Sequence, residues 1–149
     1  KMKKIMFLAI IFLCISYLFA ENKLGIGLGW PYVSLKYNFS EDISCELKFA
    51  VGEGINIFAG RFYWNFYRKN ALIGVTGVEA GYIDFDTLNI KGYGGECSLF
   101  IGGEYFITRR LSFVLDFSPT FIILKSDDFE IEDIEWVVNF AFYYYFLRK

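Results

Sequence analysis

Large apolar side chains alternate with small or polar side chains along most of the chain after residue 20. The last segment is the clearest case, and its apolar phase consists of Ile134, Trp136, Val138, Phe140, Phe142, Tyr144 and Phe146. The positions between them are more polar and include Glu135 and Asn139. Because successive side chains of a strand point to opposite faces, this pattern predicts a β-strand with one wholly apolar face.

The same alternation recurs upstream, and we predict eight strands in all. One ambiguity lies at Pro31-Tyr32, where the phase slips; a turn would make two strands there, and a bulge would make one. Since single-chain bacterial membrane barrels have even strand numbers, we favour the turn. Pro119 falls inside another predicted strand, where it lacks a ladder donor, and we expect a bulge at that position.

The apolar phase is too bulky for the inside of a small barrel. An eight-stranded barrel has an interior just wide enough for its side chains, whereas lipid sets no volume limit. Aromatic residues also gather near the predicted strand ends, as in membrane-interface girdles; they are Tyr63, Trp64, Phe66, Tyr67, Tyr105, Phe106 and residues 143–146. We therefore predict an all-β fold, an antiparallel up-and-down transmembrane β-barrel. The alternative is an exported soluble β-sandwich or lipid-binding barrel with this phase as its core.

The first twenty residues are typical of an export signal. Lys1, Lys3 and Lys4 precede an apolar stretch over residues 5–19, and Ala20 suits the position before cleavage. Beyond this stretch no apolar run reaches the ~18 residues that a membrane helix needs. We predict a signal peptide over residues 1–20 and an outer-membrane barrel domain over residues 21–149. The alternative for the first segment is an uncleaved membrane anchor, although the stretch is short for a span.

Link lengths predict how the barrel is oriented. Counting back from a periplasmic C-terminus puts the tight links near residues 41–42, 68–69 and 108–110 on the periplasmic side, where such barrels have short turns. The longer, acidic links at residues 86–91 and 127–133 then face outward. We expect these links to be solvated loops. A weak divalent-cation site is the alternative, because hard cations take carboxylate oxygens, but the links lack the glycine of a calcium-binding loop motif.

Composition excludes several functions. The net charge is −2 and the pI is near 5.2, which argues against a nucleic-acid partner. The chain has no histidine, which removes the usual base of serine and cysteine nucleophiles and the commonest zinc ligand. We expect neither enzymatic activity nor a cofactor.

The polar phase directs nine charged side chains into the predicted barrel. They are Lys36, Glu46, Lys48, Arg61, Glu79, Glu96, Glu104, Asp116 and Glu135. Because buried charges need partners, we predict an ion-pair network that fills the interior. A narrow cation-preferring path along the acidic surplus is the alternative.

The glycines of the first strand and the two cysteines after the signal segment also have predicted positions. Gly25, Gly27 and Gly29 alternate within the first strand, and we predict that they leave room for Tyr143 and Tyr145 across the closing seam. Cys45 and Cys97 fall in the outward phase of two separate strands, where no disulfide is indicated.

Over residues 24–146 the chain resembles the small eight-stranded outer-membrane barrels of the OmpA-transmembrane and OmpX-like type. The closing stretch is similar to the signal read by the barrel-assembly machinery, with Asn139, Ala141, Tyr144 and Phe146 at its polar, small, hydrophobic and aromatic positions. Alanine stands where glycine is usual, and three residues follow the aromatic.

The resemblance implies a location and partners. We expect a monomer in the bacterial outer membrane, surrounded by lipid and delivered by periplasmic chaperones and the assembly machinery. Its predicted role is non-enzymatic, in envelope integrity or surface contact. The alternative role is a narrow pore or transport path for small or apolar solutes.

Overall fold

A computed structural model describes residues 24–52, 54–87, 90–127 and 129–146, and the predicted signal peptide lies outside these ranges. The eight strands are β1 (Leu24–Gly29), β2 (Tyr32–Asn38), β3 (Ile43–Gly52), β4 (Ile55–Lys69), β5 (Leu72–Thr87), β6 (Ile90–Phe106), β7 (Leu111–Ser126) and β8 (Glu130–Tyr145). Within the described ranges, no helix is long and apolar enough to cross a membrane.

Each strand pairs antiparallel with the next, and β8 pairs with β1 to close the ring. The predicted all-β, eight-stranded, up-and-down architecture is confirmed. The phase slip is a turn, because β1 ends at Gly29 and β2 begins at Tyr32. Both ends of the described chain lie at the edge of the barrel that carries the turns around residues 39–42, 70–71 and 107–110; we call it the terminal end, and the other the distal end.

The interior neighbours around the ring show how far the strands are staggered. From Gly25 the paired positions run through Lys36, Glu46, Arg61, Glu79, Ser98 and Thr120 to Glu135. Across the seam, however, Gly25 pairs with Tyr145 of β8 and not with Glu135. One circuit of the ring therefore ends ten residues along β8 from the partner of its starting point, and this difference is the stagger of the barrel. Strands of small barrels tilt by ~35–45° to achieve such closure.

The barrel reverses the usual distribution of polarity. Its outward phase is apolar and exposed, with Leu99 at 66% and Trp136 at 67% relative exposure. Its inward phase buries charged groups such as Lys36 and Glu46, each 1% exposed. A smaller apolar cluster also lies inside, formed by Tyr63, Ile73, Val75 and Phe100.

Three details differ from the sequence expectations. Strands β6, β7 and β8 keep one register on either side of Pro119, so the bulge expected there is wrong; the register shifts instead at Phe66 in β4. The two acidic links are shorter than expected, because residues on both sides of them continue the ladder as pairs such as Asp86 with Lys91. Tyr63 faces inward, in the phase of Arg61. Tyr143 and Tyr145 are also buried inside, where Phe106 packs against them, and these four rings do not belong to an outer aromatic girdle.

Glycines on β1 accommodate tyrosine rings, as predicted. A Cβ atom on Gly25 would lie 2.9 Å from the Tyr145 ring, and one on Gly27 would lie 2.6 Å from the Tyr143 ring and against the Ser34 hydroxyl. Both glycines pair with β8 opposite these same tyrosines. The closing seam therefore depends on the absence of side chains on the inner face of β1.

We expect Gly27→Ala to lower the free energy of unfolding by about 1–3 kcal/mol, because overpacking would displace the Tyr143 ring. Gly60→Ala is the matched control, since a Cβ there meets nothing within 4 Å. Urea titration of the folded protein measures both. Equal stability of the two variants would contradict the packing described for the seam.

Candidate functional site: the barrel interior

Four neighbouring strands carry alternating charges on their inner faces. Lys36 of β2 pairs with Glu46 of β3, which pairs with Arg61 of β4, which pairs with Glu79 of β5. Opposite charges directly across a ladder attract one another. The register alone therefore builds a ladder of charges along one wall of the lumen.

Glu104 on β6 connects this wall to the other side of the lumen. It accepts hydrogen bonds from Lys36 at 2.7 Å, from the Ser112 hydroxyl at 2.6 Å and from the Tyr145 hydroxyl at 2.6 Å. The carboxylate is 3% exposed, and it has a cation and two hydroxyl donors within hydrogen-bond distance. Burial of a charge is tolerated when it is paired in this way.

Two tyrosines hold Glu46. The hydroxyls of Tyr63 and Tyr143 both donate to its carboxylate. The Lys36 ammonium lies 4.4 Å from the centre of the Tyr63 ring and 5.2 Å from that of Tyr143, so the same rings also stabilise the cation. Glu46, Lys36 and Glu104 thus form one continuous cluster.

Arg61 is the centre of a second cluster. Its two terminal nitrogens donate to the two Asp116 oxygens, each at 2.8 Å, in the bidentate arrangement that favours arginine over lysine. Its Nε contacts Glu79, which also accepts from Lys48 at 3.0 Å. The guanidinium carbon lies 4.1 Å from the centre of the Phe100 ring. The Asn139 amide donates to Asp116 at 3.1 Å.

Towards the distal end the lumen widens into a cavity of about 220 Å³. Lys48 and Glu79 form part of its floor, and its upper walls include Pro31, Glu96 and Glu135. Among the described residues neither Glu96 nor Glu135 has a hydrogen-bond or ion-pair partner. Glu135 lies in the inward phase as expected but is exposed, because it sits near the distal rim.

The extended strands beyond the cavity carry surface ion pairs. Lys91 bonds Asp86 at 2.8 Å, and Lys125 bonds Glu130. The hydrogen bond that Lys91 donates to Asp86 raises the pKa of Lys91, and the hydrogen bond that Lys125 donates to Glu130 raises the pKa of Lys125. These exposed pairs join positions that are directly opposite in the ladder.

Seven of the nine charged residues expected inside therefore make ion pairs or hydrogen bonds in the two clusters, and Glu96 and Glu135 stand apart. The phenols of Tyr63, Tyr143 and Tyr145 are essential partners that the sequence reading did not assign to the network. The sequence does contain the information needed to place them inside, because all three tyrosines share the strand phase of the charged residues. Among the described residues no group of three acidic or cysteine side chains could hold a metal ion.

The four residues of the assembly-signal motif divide between the two faces of the barrel. Asn139 and Ala141 are buried in the interior, and Tyr144 is exposed on the outer face. Phe146 follows the end of β8, and its amide donates to the Leu24 carbonyl at 3.0 Å. The motif therefore lies at the seam, and its role in assembly stays a prediction.

No protein-family model matches the chain, and no curated protein matches it significantly in sequence.

We expect Asp116→Asn to lower the free energy of unfolding by about 3–5 kcal/mol, because it leaves the buried Arg61 guanidinium without its bidentate carboxylate. The matched control is Asp86→Asn, which removes the same charge from an exposed pair and should change stability little. Urea unfolding followed by tryptophan fluorescence measures both. Similar midpoints for the two variants would contradict the central place of the Arg61 pair.

Proposed function

We propose that this protein is an outer-membrane β-barrel of a bacterial envelope with a filled, non-conducting interior and no enzymatic activity. Its role would be structural, in envelope integrity or surface contact. The observation that carries the proposal is the reversed polarity of the barrel, with charges sealed inside and hydrocarbon outside.

The outer surface has the dimensions of a lipid-facing band. On β8 the outward residues at positions 134, 136, 138, 140, 142 and 144 are all large, apolar and at least 44% exposed. Ten residues at ~3.3 Å each, on strands tilted ~40°, span about 25 Å along the barrel axis, the height of such bands. Soluble proteins rarely expose apolar patches above a few hundred Å².

The interior favours the structural role over a transport path. The two clusters around Glu104 and Arg61 occupy the lumen between the terminal end and the cavity floor, and each charge in them has a partner. The interior also argues against a soluble lipid-binding barrel, which would require an apolar lumen. The closed ring of strands argues against a soluble sandwich.

Cell fractionation tests the location directly. The expressed full chain should appear in the outer-membrane fraction and, after detergent extraction, should migrate on gels at a position that changes on boiling. Recovery from the soluble periplasmic fraction would refute the proposal.

A charged substitution on the outer face tests whether lipid or water surrounds this face of the barrel. Leu99 is 66% exposed near the middle of the apolar band. We expect Leu99→Arg to destabilise the protein by about 2–4 kcal/mol in bilayers if the position faces lipid. At an exposed site in water the same substitution would change the free energy of unfolding by no more than about 0.5 kcal/mol.

Leu99→Met is the matched control for this substitution, because it changes shape without adding charge. Unfolding titrations of both variants in phospholipid vesicles supply the comparison. An arginine variant as stable as the methionine variant would contradict a lipid-facing Leu99.

Planar-bilayer recording separates the structural role from a pore. We expect no reproducible single-channel steps from the reconstituted wild-type protein, since Lys36, Arg61 and their partners fill the lumen. Regular steps that scale with protein concentration would favour the transport path instead.

A further inference from the structure

The barrel wall has a gap above the β1–β2 hairpin. β8 pairs with β7 from Glu130 onward but pairs with β1 only over residues 141–145. On the other side, β3 continues through Val51 and Gly52 after its last β2 partner, Ala50 opposite Tyr32. We call this gap the notch; its base is Trp30-Pro31, and its sides are residues 131–139 of β8 and Val51-Gly52 of β3.

The notch lies within the apolar band. Outward residues of β8 remain apolar up to Ile134, well beyond the position of Gly29, where β1 ends opposite Ala141. The side chains around the notch are among the most exposed apolar groups of the barrel, with Trp30 and Val51 each at 76% and Trp136 at 67%. The opening therefore faces the distal half of the band that we assign to lipid.

The free edge of β8 presents backbone groups to the notch. The Tyr145 amide bonds to Arg110 on the β7 side, and the Phe146 amide bonds to Leu24 on the β1 side. Because backbone groups alternate along a strand, even-numbered residues of β8 point towards the notch. The Ile134 amide is capped by the Asp133 carboxylate at 2.7 Å. The carbonyls of Trp136 and Val138 are directed to the same side.

The cavity in the lumen reaches the notch. Its lining includes the hairpin residues Pro31 and Tyr32, Ala50 of β3, and Glu135 and Val137 of β8, all of which border the gap. Its deeper walls are partly apolar, and Lys48 there is already paired with Glu79. The carboxylates of Glu96 and Glu135 are left as acceptors without a partner among the described residues.

We propose that the notch and cavity bind an amphiphile of the surrounding membrane through a primary ammonium headgroup, with its hydrocarbon chain passing between Trp30 and Trp136 into the bilayer. This inference rests on the proposed membrane location. Charge complementarity selects the headgroup, because Glu96 and Glu135 attract a cation and repel an anion. An ammonium also supplies donors for the carbonyls of the β8 edge, which lipid alone leaves unsatisfied at a cost.

The test uses the full chain reconstituted in phosphatidylcholine vesicles and a long-chain primary amine that carries a diazirine near its head. After photolysis, mass spectrometry maps the attachment sites. We expect labelling concentrated at residues 30–32 and 135–139, displaced by unlabelled dodecylamine but not by dodecanol or dodecyl sulfate.

Variants identify the groups responsible. Glu96→Gln combined with Glu135→Gln should reduce labelling at the notch about fivefold, the loss expected from two partly exposed charge pairs. Glu132→Gln is the matched control, because it removes an exposed charge from the outward face of the same strand. Val137→Trp fills the cavity without a change in charge and should also abolish the labelling.

Several results would overturn this inference. One is labelling spread evenly over the outer face, and another is equal labelling of the wild type and the double glutamine variant. Protection of the notch by the β8 edge of a second copy of this chain in the vesicles would do the same. Failure of the proposed location is distinguishable, because the chain would then not insert into the vesicles or show heat-dependent gel mobility.

Discussion

Partnering of buried charges is the constraint on which this structure depends. Eight strands enclose a narrow lumen, and the inward phase brings lysine, arginine and carboxylate groups into it. A buried charge without a partner costs several kcal/mol, so each must meet an opposite charge or a set of donors. The ten-residue stagger provides this match, because it aligns Lys36, Glu46, Arg61 and Glu79 on adjacent strands and leaves Glu104 and Asp116 to face them across the lumen.

The tyrosines relate this electrostatic requirement to the packing of the seam. Tyr143 and Tyr145 fill space beside the glycines of β1, and their hydroxyls bond Glu46 and Glu104. A smaller side chain on β8 would leave both a void and an unsatisfied carboxylate. A larger one on β1 would displace the rings. The same two tyrosines therefore help to close the ring and satisfy the carboxylates buried in the lumen.

Alternation was sufficient to predict the strands, because period two is a local property of the chain. The turn at Pro31-Tyr32 followed from the even strand number of such barrels, and the inward phase of the charged residues followed from the bulk of the apolar phase. The stagger of the strands decides which charged side chains lie opposite one another. This stagger adds up the register of every strand pair around the ring, so the sequence of one segment does not reveal it. Tyr63 was misplaced for a related reason: nearness to a strand end suggested a girdle, although its phase matched Arg61. The distal strands were underestimated because polar pairs such as Lys91 and Asp86 extend the ladder without apolar alternation.

The short β1–β2 hairpin also has consequences beyond its own length. It interrupts the wall beside the long strand β8 and connects the cavity of the lumen with the outer surface. The same stagger that fills the terminal half with paired charges leaves Glu96 and Glu135 near the distal rim, where neither forms an ion pair with another described residue. The register of the strands thus produces a terminal half of the lumen that is filled with side chains and a distal half that is accessible from outside.

Thiol accessibility offers the most direct test of the reversed polarity, and it needs no substitution. Cys97 lies exposed on the outer face of β6, within the apolar band. A charged, membrane-impermeant maleimide should leave Cys97 unmodified in intact membranes and modify it fully after heat unfolding, with attachment located by peptide mass spectrometry. Rapid modification of Cys97 in the folded, membrane-associated protein would show that water surrounds this face and would contradict the account.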